Sequence, residues 1–150
     1  MENWTRYLDA RQIKFMRLES KIGKIYAKDE KIFKFLTNFD NFKTLIPADK
    51  VSDWQSDGDT CTFTVSPVGK TGFRITEKEE YKLVKLSNLE DTQYDFKLWI
   101  QLKQIDSDTT ASKLTMEVEL NPMMQMMAKK PLQTFLDTLV DQIGKINYGD

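Results

Sequence analysis

The chain has 150 residues, a formal net charge of −1, 40% hydrophobic and 30% charged residues, no histidine and one cysteine. That is one domain's worth of chain, with no global charge to draw it to nucleic acid or an anionic membrane. Ser-His-Asp and Cys-His nucleophiles, histidine or thiolate zinc sites, iron–sulfur clusters and an internal disulfide are all excluded. Any catalysis would rest on carboxylates, Tyr, Lys or Arg, and no cofactor or metal is expected. No signal-peptide core is present, and no apolar run approaches the roughly eighteen residues of a membrane span. The expected location is cytoplasmic, without stable membrane insertion.

Residues 1–14 (MENWTRYLDARQIK) read as an N-terminal arm, with Trp4, Tyr7 and Leu8 able to share one helical face. Residues 15–150 read as the domain itself, and Met16 is an alternative start. Over 15–27 the alternation predicts a strand with Leu18, Ser20 and Ile22 on one side, and Gly23 marks a bulge that turns Ile25 inward. Asp29 is an expected N-cap. Ile32, Phe33, Leu36 and Phe39 then make a short amphipathic helix, and a second turn or helix runs through Phe42, Leu45 and Ile46 to Pro47. Lys24, Lys28, Lys31 and Lys34 are interleaved with Glu19, Asp29 and Glu30, which reads as a solvated face rather than a basic patch.

From Val51 to Leu120 the period becomes two. Strands are predicted near 50–56, 60–67, 72–79, 81–89, 93–105 and 112–121, with Asp57-Gly58 as a hairpin signal. Tyr94, Phe96, Leu98, Ile100 and Leu102 share one face, as do Leu114, Met116, Val118 and Leu120. Such one-sided strands belong to an antiparallel sheet covered on one face, and the short loops predict a meander. The cover is the end of the chain. From Pro131, the apolar residues Leu132, Phe135, Leu136, Leu139, Val140, Ile143 and Ile146 follow the spacing of one helix face. Asp141 and Lys145 stand four apart for an ion pair on the opposite face. A Met-rich entry (Met123, Met124, Met126, Met127) precedes that helix.

The segment KIFKFLTNFDNFKTLIP (31–47) resembles the first helical pair of the START-like helix-grip superfamily. Asn121-Pro122, leading into the apolar pattern of 132–143, is similar to the end of that superfamily's last strand and its C-terminal helix. The resemblance spans roughly residues 16–147 and rests on element order more than on a diagnostic motif. It implies an α+β fold: a curved antiparallel sheet of about seven strands wrapped around the long helix, with two short helices after the first strand. It also implies a cavity between sheet and helix. Pollen-allergen, polyketide-cyclase and lipid-transfer members use that cavity for apolar or amphipathic small molecules. Iron-oxygenase domains share the fold, but this chain has no histidine ligand to carry over.

The residues themselves point to the same place, because pockets are mostly apolar with a few orienting polar groups. The expected ligand-binding set is Phe63, Phe73, Ile75, Tyr94, Phe96, Leu98, Met116, Met123, Met127, Leu132, Phe135 and Leu136. Flexible thioethers suit an adaptable cavity mouth, and core filling or a dimer contact is the plainer reading of the same methionines. Parity places Glu77 beside Phe73 and Ile75, where a buried carboxylate paired with Tyr94, Tyr81 or Tyr26 would serve as an acid or base. Cys61, in the run TCTFTV, reads as a buried inert thiol. Val68-Gly69-Lys70-Thr71 mimics a P-loop end but lacks its first glycine and its helix. Asp53, Asp57 and Asp59 lack EF-hand spacing and read as a solvated turn. Trp54 and Trp99 fall on the nominal outer face.

Three functions remain open from the sequence. The first is non-catalytic binding of a small hydrophobic molecule, and the second is a cyclase- or hydratase-type enzyme. The third is an interaction module with a filled core, with a homodimer among its forms. Nucleic acid is not an expected partner.

Overall fold

The computed structural model describes residues 15–46, 51–65, 69–90 and 95–149. The sequence-predicted arm at 1–14 lies outside them. Strands β1 (Phe15–Glu19) and β2 (Gly23–Ile25) come first, followed by helix α1 (Asp29–Leu36) and a 3-10 helix (Phe39–Thr44). Strands β3 (Val51–Ser56), β4 (Thr60–Val65), β5 (Gly69–Glu79), β6 (Leu83–Asn88), β7 (Phe96–Asp106) and β8 (Thr109–Glu119) then lead into helix α2 (Pro122–Lys145). All pairings are antiparallel, in the order β1-β8-β7-β6-β5-β4-β3, with β2 also on β8. From β3 to β8 this is the predicted meander, and β1 and β2 close it from the other end of the chain.

The predicted first strand is broken in two. Leu18, Ser20 and Ile25 point inward as expected, but Ile22 is 72% exposed because the chain leaves the ladder between Glu19 and Gly23. Ser20 bridges the gap: its hydroxyl accepts from the Leu114 N–H at 2.9 Å and donates to the Lys21 carbonyl at 2.7 Å. Gly23 has a steric reason. A Cβ there would collide with a methyl of Val140, so the missing side chain is what lets α2 lie on β2. Lys28 occupies the N-cap of α1 with no side-chain cap bond, and Asp29 falls one position later, in the first turn.

Helix α2 begins nine residues earlier than its apolar stripe indicates. Asn121 is the N-cap, its side chain accepting from the Met124 N–H at 2.8 Å, and Pro122 opens the first turn. The Met-rich stretch is therefore helix, and Pro131 lies inside it. Its 24 residues span about 36 Å at 1.5 Å rise per residue. Pro131 has no N–H for the Met127 carbonyl, which weakens the ladder there. Beyond it Leu132, Phe135, Leu136, Leu139, Val140 and Ile143 are all buried, as their spacing predicts.

Polar ties pin this part of α2 to the β1–β2 break. The Lys21 N–H donates to Asp137 at 2.8 Å, the Lys21 ammonium to Asp141 at 2.8 Å, and Gln133 Nε2 to the Glu19 carbonyl at 2.7 Å. Asp141 is thus engaged by Lys21 across the interface rather than by Lys145 along the helix.

Candidate functional site

Between the sheet and the middle of α2 lies a cavity of about 30 Å³ lined by Phe63, Val65, Thr71, Phe73, Phe96, Met116, Val118, Leu132 and Phe135. Strands β4, β5, β7 and β8 supply its floor and α2 its roof. Each strand contributes alternate residues, as period two requires. The aromatic wall is continuous: Trp54 stacks on Phe63 at 5.4 Å between ring centroids, Phe63 meets Phe73 at 5.6 Å, and Phe73 meets Phe96 edge-on at 4.5 Å. Such ring pairs hold one another beyond simple burial. Asn88 helps to place the last ring, its Oδ1 accepting from the Phe96 N–H at 3.1 Å.

Trp54 corrects an expectation. Between Ser52 and Gln55 the β3–β4 register slips, and Asp53 adopts a left-handed backbone at φ 58°. The bulge turns Trp54 inward onto Phe63, against simple alternation. Trp99 does stay on the outer face, where the Lys85 ammonium sits 5.5 Å from its ring centroid.

A second bulge removes the acid–base candidate. Ile75 pairs with Leu86, but Glu77 pairs with Lys85, so one residue is skipped and Glu77 turns to the outer face. Its carboxylate is exposed and stands 3.7 Å from the Lys85 ammonium. Tyr26 is exposed, and Tyr81 forms the β5–β6 turn with φ 66° and meets the Phe33 ring edge-on. Neither lines the cavity. Tyr94 lies outside the described residues.

Of the other sequence-predicted ligand contacts, Phe63, Phe73, Phe96, Met116, Leu132 and Phe135 come together at the cavity. Leu98 and Leu136 are buried in the surrounding core, and Ile75 is partly buried against it. Met123 and Met127 are 71% and 55% exposed and take no part in the lining; Met126 is 83% exposed. They sit on the solvent-facing side of the first two turns of α2, ahead of Pro131, while the other side of those turns packs on the core through Met124 and the fully buried Ala128.

Val65, Thr71 and Val118 complete the lining. The two valines belong to faces the alternation already identifies. Thr71 escapes notice because the VGKT stretch reads as a turn. Strand β5 in fact starts at Gly69, placing Thr71 opposite Phe63 in the ladder and on the face of Phe73. Thr71 is 5% exposed, and its Oγ1 has no hydrogen-bond partner among the described residues. Leaving a buried hydroxyl unpaired costs about 1–3 kcal/mol.

Cys61 is buried two residues from Phe63 and opposite Phe73 in the ladder, and burial pushes its thiol up to about 12, keeping it protonated and inert. Asp57 behaves as a turn residue: its Oδ1 accepts from the Thr60 N–H, the Thr60 hydroxyl and the Asp59 N–H, which together lower its pKa. No cluster of three His, Cys, Asp or Glu side chains among the described residues could hold a metal ion. No helix among them is long and apolar enough to cross a membrane.

No known family model matches the sequence, and no curated protein is significantly similar to it. Solved structures are. Norcoclaurine synthase from Thalictrum flavum superposes with a TM-score of 0.66 at 16% identity, over 87% of this chain and 92% of that one. The fold is a helix grip. A conserved protein from Geobacillus kaustophilus matches with a TM-score of 0.65 at 14% identity, over 87% of this chain and 93% of that one. An uncharacterised protein from Bacillus thuringiensis does so with a TM-score of 0.65 at 11% identity, over 86% and 96%. One structure of the Thalictrum enzyme is a complex with dopamine and hydroxybenzaldehyde, and it matches over 90% of this helix-grip chain with a TM-score of 0.64.

Proposed function

We propose that this helix-grip protein binds a small apolar or amphipathic molecule between its sheet and α2, and holds it without transforming it. The observation that carries the reading is the lining: eight apolar side chains and one threonine, with no ionisable group among them. A site of that kind supplies burial and shape, and nothing to move a proton with. The exposed position of Glu77 argues the same way against the cyclase or hydratase alternative. That a structural neighbour accommodates dopamine and hydroxybenzaldehyde supports an aromatic guest.

A volume of about 30 Å³ fits about one water and is far below the roughly 300 Å³ of a small-molecule pocket. Binding therefore opens the cavity. Met116 has a flexible thioether that repacks cheaply. Leu132 and Phe135 follow directly on Pro131, where the helix ladder is already interrupted. The opening cost lowers the apparent affinity by the fraction of molecules in the open form.

A second reading keeps the core closed and uses Met123, Met126 and Met127 as a contact to a second copy of the chain; their exposure favours it. Methyl NMR on ¹³C-methyl methionine protein separates the two. Titration with p-xylene should move the Met116 resonance and leave Met126 in place. A Met116 signal unmoved at saturation would sink the binding reading. Concentration-dependent shifts confined to Met123, Met126 and Met127 would support the self-association reading.

A further inference from the structure

We propose that Thr71 is the specificity element of this cavity, selecting a neutral, largely aromatic ligand that carries one hydrogen-bonding group. The inference rests on the binding reading above and names the class of guest it admits. Among the described residues Thr71 is the one polar side chain in the lining, and its Oγ1 is buried and without a hydrogen-bond partner there. Valine has the same shape and β-branching and would fill this strand position with no stranded hydroxyl. A hydroxyl kept at such a position is matched to something that enters the cavity.

A trapped water is a poor match. Buried water needs two to four polar partners, and among the described residues this lining offers one polar side chain. A charged head group is a worse one, since no cation or anion among the described residues lines the cavity to offset its desolvation. A phenol-like hydroxyl or a carbonyl fits, because the threonine hydroxyl both donates and accepts. Its neighbours then sort the rest of the guest. Thr71 is the ladder partner of Phe63 and lies two residues from Phe73, so a group bonded to Oγ1 brings a ring against both faces. Burial of a hydroxyl is not the argument by itself. Ser112 Oγ is also buried and without a partner among the described residues, but it sits opposite Gly23 and Leu102 in the ladder and does not line this cavity.

The test uses p-cresol and p-xylene, which differ by a hydroxyl in place of a methyl, against the full chain and its Thr71→Val and Thr71→Ser variants. Dissociation constants come from the Met116 methyl titration. Thr71→Val should weaken p-cresol about fivefold, the net worth of one neutral hydrogen bond, and leave p-xylene within about twofold. Thr71→Ser, which keeps the hydroxyl, should retain the wild-type preference. If both probes bind and Thr71→Val changes them by the same factor, the role of Thr71 is overturned and the cavity reading stands. If neither probe moves Met116 in any of the three proteins, both fall together.

Discussion

The two ends of the interface between α2 and the sheet are built on opposite plans. At the β1–β2 end, Gly23 gives up its side chain so that Val140 can sit against the strand, and Lys21, Glu19, Asp137, Asp141 and Gln133 tie helix to break. At the β4–β5 end, the contact runs through large rings, leaves space above them and includes an unpaired hydroxyl. One end is closed by contact and hydrogen bonds, the other by side chains that can move. A helix pinned through Gln133, Asp137 and Asp141, with apolar side chains beneath Leu132 and Phe135, can admit a guest by side-chain repacking without unfolding, which is what a binding cavity in a small domain requires.

Phe135 is where the two plans meet, buried in the roof and still part of the apolar face that grips the sheet. Phe135→Ala should cost about 3–5 kcal/mol, read as a lowered urea midpoint. A loss under about 1 kcal/mol would mean that the roof contributes little and that the closed end alone holds the helix.

Gly23→Ala attacks the closed end. The new Cβ meets Val140, whose branched side chain has few rotamers to retreat into, so overpacking should cost about 1–3 kcal/mol. The double variant with Val140→Ala should recover much of it. If the two losses simply add, the close approach of helix to strand is not what Gly23 provides.

The sheet wall behind the cavity offers a pH test. The Cys61 thiol sits near 12 in the folded protein against an ordinary value of 9.0, because burial disfavours the thiolate. Above pH 9 the unfolded chain loses this proton while the folded chain keeps it. The stability is therefore complete below pH 9 and is lost progressively as pH rises toward 12. By pH 10 the loss should reach about 1 kcal/mol. Urea midpoints at pH 8 and 10 should converge toward each other in Cys61→Ala; an identical fall in the variant would assign the alkaline loss to other groups.

Where local pattern decides structure, the sequence was a sufficient guide. Alternation placed Phe63, Phe73, Phe96 and Met116, and helical spacing placed Leu132 and Phe135, so six lining residues were legible before any coordinates. The failures share one cause. A bulge shifts parity by one residue, and nothing in the residue types around Asp53 or Glu77 announces it. Unbroken alternation puts Trp54 outward and Glu77 inward, each the reverse of the structure. Thr71 was hidden by a turn-like string, and the early start of α2 by a proline that ordinarily opens a helix and here lies within one.

The smallest effect belongs to the methionines ahead of that proline, and it is the one that tells a tethered helix end from a working one. Met123 and Met127 are exposed and take no part in the lining, so replacing both with Gln should change stability by less than about 0.5 kcal/mol. Their effect on p-xylene uptake is the informative quantity. If these two side chains only face solvent, the dissociation constant should stay within about twofold while any self-association weakens. If the guest passes over these thioethers on its way beneath Leu132, the association rate should fall, with the dissociation rate falling in proportion so that affinity is kept. A weakened affinity at unchanged stability would instead place the methionines in contact with the bound guest, extending the site beyond the cavity lining to the exposed side of the first turns of α2.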